Sequence, residues 1–294
     1  MKIKSLTVGD ITSQNLLYYE ASCEKECLRV CDYLNIDFLP LIGLAQYAER
    51  ERNVFKIKPI DENTSISPFV SILDQQFRSR LIIAKHNVVF VVDGKITKGV
   101  VHISDLNRNG ITQAIQQDYL LFERNLRHLL QLNEFTNRDL LDFMESMTQK
   151  GNSKEYWRGQ FDSYSSIFKK KNIEHQSDLQ LFNLSHLLEF GISELGRNVF
   201  PISTSGEKKS LIDLRNKVMH AKDSIDLSNA YEIQTAQQLN KFYEALEIFI
   251  KYHELLEEKI CSHDKHCRAI VLDNTSKLKI IGDHYPNAIE YFIR

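Results

Sequence analysis

No apolar run in this sequence approaches the ~18 residues of a membrane-spanning helix, so the chain is expected not to cross a bilayer. Its opening stretch, MKIKSLTVGDITSQ, lacks the apolar core that a secretory signal carries. An excess of one charge sign is missing too: 37 Lys and Arg stand against 39 Asp and Glu, a formal net charge of −2. Overall charge therefore gives no sign of a nucleic-acid role, which would need a local basic surface. Cysteine is sparse and odd in number, with five residues; without an export signal this fits a reducing, cytoplasmic setting.

What is present is the composition of a globular protein. Of 294 residues, 43% are hydrophobic and 26% charged, enough for one large or two ordinary domains with a buried core. Cys23, Cys27 and Cys31 recur every four residues on a helical stripe that continues to Leu34, which predicts small buried thiols. The other two cysteines lie in CSHDKHC (Cys261, His263, His266, Cys267). Those four side chains crowd into seven residues and match no familiar zinc spacing. A polar linker after a helix is the reading, and no metal or cofactor is expected.

Along the chain, the first ~110 residues alternate between helix and strand patterns. SCEKECLRVCDYLN reads as helix, IDFLPLIG as strand, and SISPFVSILDQQF as the start of a second helix. RLIIAKHNVVFVVDGKITKGVVHISDL reads as three short β segments with a turn at DGK. The order strand, helix, strand then occurs twice, a weak internal repeat. From Asn109-Gly110 onward the pattern becomes helical, with Ile115, Tyr119, Phe122, Leu126, Leu129 and Leu130 at helical spacing. Asp178, Asn137 and Ser210 read as helix starts, and Gly151, Gly191 and Gly196 as punctuation. The tail RAIVLDNTSKLKIIGD alternates like a hairpin around DNTS. The expectation is an α+β fold: an α/β module over residues 1–110, an all-α bundle over 111–260, and an extension over 261–294 with a short β-hairpin.

The segment SLIDLRNKVMHAKDS holds the densest chemistry. Leu211, Leu214 and Val218 share an apolar helical face, while Asn216 and His220, four apart, are neighbours on another. Arg215 and His220 are five apart, roughly 140° around an ideal helix. They meet on one ligand only if the helix bends or ends there, or if a second copy of the chain supplies the other half. Lys208, Lys209, Arg215, Lys217 and Lys222 face only Glu207 and Asp213 in this stretch, a local basic surface suited to a phosphate backbone. The alternative is a helix C-terminus whose cations meet the negative end of the dipole. Glu123 and Arg127, four apart on an earlier helix, form either a surface ion pair or a support for the site.

RNKVMH resembles the R-x4–6-H signature of the HEPN superfamily, and LLFERNLRHLL resembles the opening helix of many of its members. That resemblance implies an all-α HEPN-like bundle with metal-independent endoribonuclease activity, in a toxin-like or antiviral defence role. Arg215 would stabilise the scissile phosphate, His220 act as acid and base, and Asn216 position one of them. The products would carry 2′,3′-cyclic phosphates, and a homodimer would bring two motifs face to face across one cleft. VVFVVDGKITKGVVHISDLNR resembles the end of a CBS repeat, and the N-terminal half a tandem CBS pair, or Bateman module. This implies an adenine-nucleotide effector near Ser104 and Asp105, with His102 in place of the usual hydroxyl side chain. A module that pairs with its twin and binds nothing is the other reading of that half. For the whole chain, the alternative to an RNA-cleaving enzyme is a non-catalytic dimer that binds a nucleotide or a protein partner.

Overall fold

A computed structural model describes residues 2–13, 16–34, 36–150, 153–177, 179–196, 205–220, 233–263, 270–272 and 278–280. The fold is α+β, with small sheets towards the N-terminus and long helices after them. The chain forms two compact units. Unit 1 comprises Met1–Asp118 and Leu214–Leu246; unit 2 comprises Tyr119–Asp213 and Glu247–Arg294. Among the described residues, no helix is long and apolar enough to cross a membrane.

In unit 1 a short α1 (Val8–Ile11) precedes α2 (Glu24–Leu34), which leads into the antiparallel strands β1 (Phe38–Pro40) and β2 (Gln46–Glu51). β3 (Val54–Pro59) joins β2 through a two-residue turn that holds Arg52 at φ 61°. After β4 (Ser65–Ile66), α3 (Gln75–Ile83) leads in the same way into the antiparallel pair β5 (Val88–Asp93) and β6 (Ile96–His102). β5 also pairs in parallel with β4. The turn falls at DGK as expected, with Gly94 at φ 62°, where a side chain would be strained. Helix, strand and antiparallel strand thus occur twice. Beyond that the copies part: β2 continues into β3, whereas β6 passes through a 3-10 turn (Ile103–Asn107) into α4 (Asn109–Leu132).

RLII, expected as strand, is the last turn of α3. Asp74 caps that helix by accepting the Gln76 amide at 2.7 Å, and Phe77 and Leu81 bury one face, so the helix holds until Ala84. Cys27 and Cys31 are buried against Leu39, with Tyr19, Ile36 and Phe55 around them, while Cys23 is exposed. Glu49 on β2 is only 2% exposed, and the ammonium groups of Lys58 and Lys85 hold its carboxyl below the usual carboxylate range. Gly99 lets the segment at residues 12–13 cross β6. A Cβ there would lie 2.1 Å from Thr12 Cγ2 and 2.5 Å from the Ser13 carbonyl oxygen.

Unit 1 also takes in the first turns of a long helix, α9 (Ala236–His263). Arg78 donates from Nε and Nη2 to Asn240 Oδ1 at 3.1 and 3.0 Å and lies over the Tyr243 ring. The Tyr243 hydroxyl donates to the Ile72 carbonyl at 2.6 Å.

Unit 2 contains α5 (Asn137–Met147), α6 (Lys154–Lys171), α7 (Leu184–Glu194) and parts of α4, α8 (Ser205–His220) and α9. The stripe Tyr119, Phe122, Leu126, Leu129 and Leu130 of α4 is fully buried, as its spacing predicts. α5 starts at Asn137 as expected, capped by Thr136, whose hydroxyl accepts the Asp139 amide while Asp139 accepts the Thr136 amide at 2.8 Å; Asp178 and Gly151 lie outside the described residues. Asn137 is buried, donating to the Ile173 carbonyl at 2.9 Å. α8 begins five residues before Ser210, and Gly191 lies buried inside α7. Gly196 does follow α7, with φ 67°. β7 (Ile270–Leu272) and β8 (Leu278–Ile280) form the expected antiparallel pair of the tail.

His186, 1% exposed, sits among Tyr156, Trp157 and Tyr164; its Nε2 is 3.0 Å from the Tyr156 hydroxyl. Nδ1 is buried with no hydrogen-bond partner, and burial lowers the imidazole pKa to about 4. The unfolded chain protonates this group near pH 6.5 and the folded one only near pH 4. Stability from the neutral ring is therefore complete above pH 6.5 and declines as the pH falls towards 4. The expected difference between the wild type and His186→Phe is a pH-dependent loss of about 3 kcal/mol over that interval in the wild type alone. Urea denaturation of both proteins from pH 7.5 to 4 checks it; parallel profiles would refute it.

Candidate functional site

The motif helix α8 is amphipathic as its spacing predicts: Leu211, Leu214 and Val218 are buried, Arg215 is half-buried, and Asn216 and Lys217 are exposed. The helix is assigned without interruption to His220, so both ends of the motif stand on one helical stretch. The His220 side chain and the whole of Lys222 lie outside the described residues. Arg215 Nη1 donates to Asn216 Oδ1 at 3.3 Å, which joins the guanidinium and the amide into one polar group on the helix surface. Within unit 1, the Gln116 side-chain amide donates to the Val218 carbonyl near the helix end.

The expected RNA-binding lysines separate by their partners. In unit 2 the Lys208 ammonium pairs with Glu189, whereas Lys209 is exposed. Glu207, one of the two acids in that stretch, is held by Lys251 at 3.1 Å and by the Tyr252 hydroxyl at 2.8 Å. Glu207 is thereby neutralised from outside its own helix.

Glu123 and Arg127 form an ion pair at 3.5 Å, and both side chains are largely buried. Arg127 donates to the Leu179 carbonyl at 3.2 Å and the Phe182 carbonyl at 3.0 Å. Glu123 thus orients Arg127, and Arg127 fastens the loop ahead of α7.

His102, Ser104 and Asp105 come together at the start of the 3-10 turn, but on one another. The His102 amide donates to Asp105 Oδ2 at 2.7 Å, and His102 Nδ1 lies 3.1 Å from the Ser104 amide and 2.6 Å from its hydroxyl. Asp105 Oδ1 accepts two hydrogen bonds from Arg108, at 3.1 and 2.8 Å, and Arg108 also reaches Ser13 Oγ at 2.5 Å. Arg108, which no motif marked, ties the turn to the N-terminal segment; its only signal was a spacing of three from Asp105. Burial lowers the His102 pKa, against the opposing pull of Asp105. Beside it opens a cavity of about 440 Å³, lined by Ser13, Leu17, Asp37, Phe38, Val88 and His102 among others.

Among the described residues, no three His, Cys, Asp or Glu side chains gather as metal ligands. Cys261 is an exposed thiol near the end of α9; His266 and Cys267 lie outside the described residues. Comparison of the chain with family models, curated proteins and solved structures returned no match.

The hydrogen bonds of Asp105 have a direct consequence. Asp105→Ala removes the cap of the turn and the partner of Arg108 together, so it is expected to cost about 1–3 kcal/mol. Chemical denaturation in the absence of nucleotide measures this. Unchanged stability would mean that these bonds carry no structural load and leave the carboxylate to a ligand.

Proposed function

We propose that the chain is a metal-independent RNA endonuclease of HEPN type that works as a homodimer. The observation that carries the reading is the joined Arg215–Asn216 pair on the solvent side of an amphipathic helix whose other face is sealed. A guanidinium is charged at every working pH and offers planar, paired donors to a phosphate, and the amide bonded to it is neutral.

The chemistry follows from the residue types. A neutral His220 imidazole accepts the proton of the RNA 2′-hydroxyl, whose oxygen attacks the adjacent phosphorus. The bond to the 5′-oxygen breaks, and an imidazolium returns a proton to that leaving oxygen. The strand ends in a 2′,3′-cyclic phosphate and a free 5′-hydroxyl. Arg215 meets the charge that gathers on the phosphoryl oxygens, and Asn216 fixes the guanidinium by accepting its hydrogen bond. One unbroken helix directs Arg215 and His220 about 140° apart. A second copy supplies the complementary half, which is the reason for the dimer. Lys217 adds a second cation beside Arg215 within unit 1, and Lys222 follows in sequence.

The N-terminal half is assigned a regulatory role as a CBS-pair-like module, with an adenine nucleotide as effector. The cavity beside His102 supports this, with apolar walls for a base and Asp37 and Ser13 for polar groups. The ribose contact falls to those two residues, since Asp105 is engaged by Arg108. The setting is a cytoplasmic, toxin-like or antiviral response.

Purified protein is expected to cleave single-stranded RNA at full rate in EDTA and to leave cyclic phosphate ends. RNA methylated at the 2′-oxygen should resist. Arg215→Ala and His220→Ala should each lower the rate by 10²-fold or more with the thermal transition unchanged. Cleavage that EDTA stops, or that survives both substitutions, would refute the assignment.

A further inference from the structure

A second group of phosphate-binding side chains lies on α4, wholly within unit 2. Arg124, Arg127, His128 and Gln131 stand at i, i+3, i+4 and i+7, one face of the helix, opposite the buried Phe122, Leu126, Leu129 and Leu130. With Asn125 and Gln180 they line a cavity of about 680 Å³, within the range that holds a nucleotide-sized ligand.

The cavity is built rather than incidental. Arg127 is fixed by the carbonyls of Leu179 and Phe182, and the Gln131 amide donates to the Ser177 carbonyl, so the described residues on either side of Gln180 are tied to the helix. Leu179 holds the left-handed conformation, φ 51°, with its side chain fully buried and its amide donating to Asn137 Oδ1 at 3.2 Å. The acid on this stretch, Glu123, is turned to Arg127. Arg124 is exposed and, like His128, makes no hydrogen bond or ion pair among the described residues.

We propose that this cavity binds a phosphate group, with Arg124 and His128 as its principal donors and Asn125 and Gln180 completing the set. A guanidinium and an imidazole four residues apart converge on one oxyanion without help from a second chain. None of the six lining residues is Phe, Tyr or Trp, so the polar and charged groups dominate what the cavity offers a ligand. The phosphate comes from an RNA strand or from a free nucleotide, and the two sources differ in their dependence on salt.

The test is binding to full-length His220→Ala protein, a background chosen to suppress cleavage, so that the result does not depend on the catalytic reading. The probes are a fluorescein-labelled 12-nucleotide single-stranded RNA, followed by anisotropy, and adenosine monophosphate and inorganic phosphate, followed by calorimetry. Adding Arg124→Gln and His128→Gln is expected to weaken RNA binding about tenfold at low salt and to reduce the salt slope by about one to two. Loss of nucleotide and phosphate binding in the same variant, with RNA unaffected, would support the site and assign it to a free nucleotide. Arg124→Glu, a charge reversal at an exposed position, should weaken the bound probe further while circular dichroism is unchanged. Equal affinities and slopes in all variants for all three probes would overturn the proposal.

Discussion

Tyr119 sets the geometry on which the helical part of the molecule depends. Its ring stacks on Phe249 of α9 at 4.0 Å between centroids, and its hydroxyl donates to the Leu211 carbonyl of α8 at 3.0 Å. A fully buried tyrosine needs a partner for its hydroxyl, and here the partner is backbone. Three long helices are thereby referenced to one side chain.

Much of this was legible because burial imposes periodicity. The stripe from Tyr119 to Leu130, the buried pair Cys27 and Cys31, and the turn at Gly94 each follow from spacing or from backbone chemistry that acts locally. The failures are local rules overruled by capping and tertiary contacts. RLII has the composition of a strand, yet Asp74 upstream had already committed the chain to a helix. Ser210 has the side chain of a cap, yet α8 is already helical from Ser205. Gly191 reads as a break only if glycine is taken as a signal by itself; inside α7 it is a buried position.

The candidate site was legible in residue type and much less so in availability. Asp105 and Lys208 were singled out for their chemistry, and each is engaged by a partner outside the reading that marked it, Arg108 and Glu189, whereas Glu123 pairs with Arg127 as their spacing of four suggested. Charged side chains near a fold's own donors and acceptors are taken up by them, because leaving them unpaired in a half-buried place costs more than losing contact with water. Sequence displays the inventory of such groups, while only the fold shows which of them are spent. Arg124 matters by that criterion, since its side chain has no hydrogen bond or ion pair among the described residues.

The two arginine-led groups also differ in what a helix allows them to do. Both begin with Arg-Asn and include a histidine, but on α4 the histidine follows the arginine by four residues and on α8 by five. At 100° per residue, four steps return to nearly the same side and five overshoot it by more than a third of a turn. The shorter spacing makes a site that one chain completes alone, suited to holding a charge in place. The longer spacing leaves each half of a reaction pointing away from the other, so that catalysis waits on assembly. The α8 spacing alone therefore does not put both groups on one side of the helix, whereas the α4 spacing does.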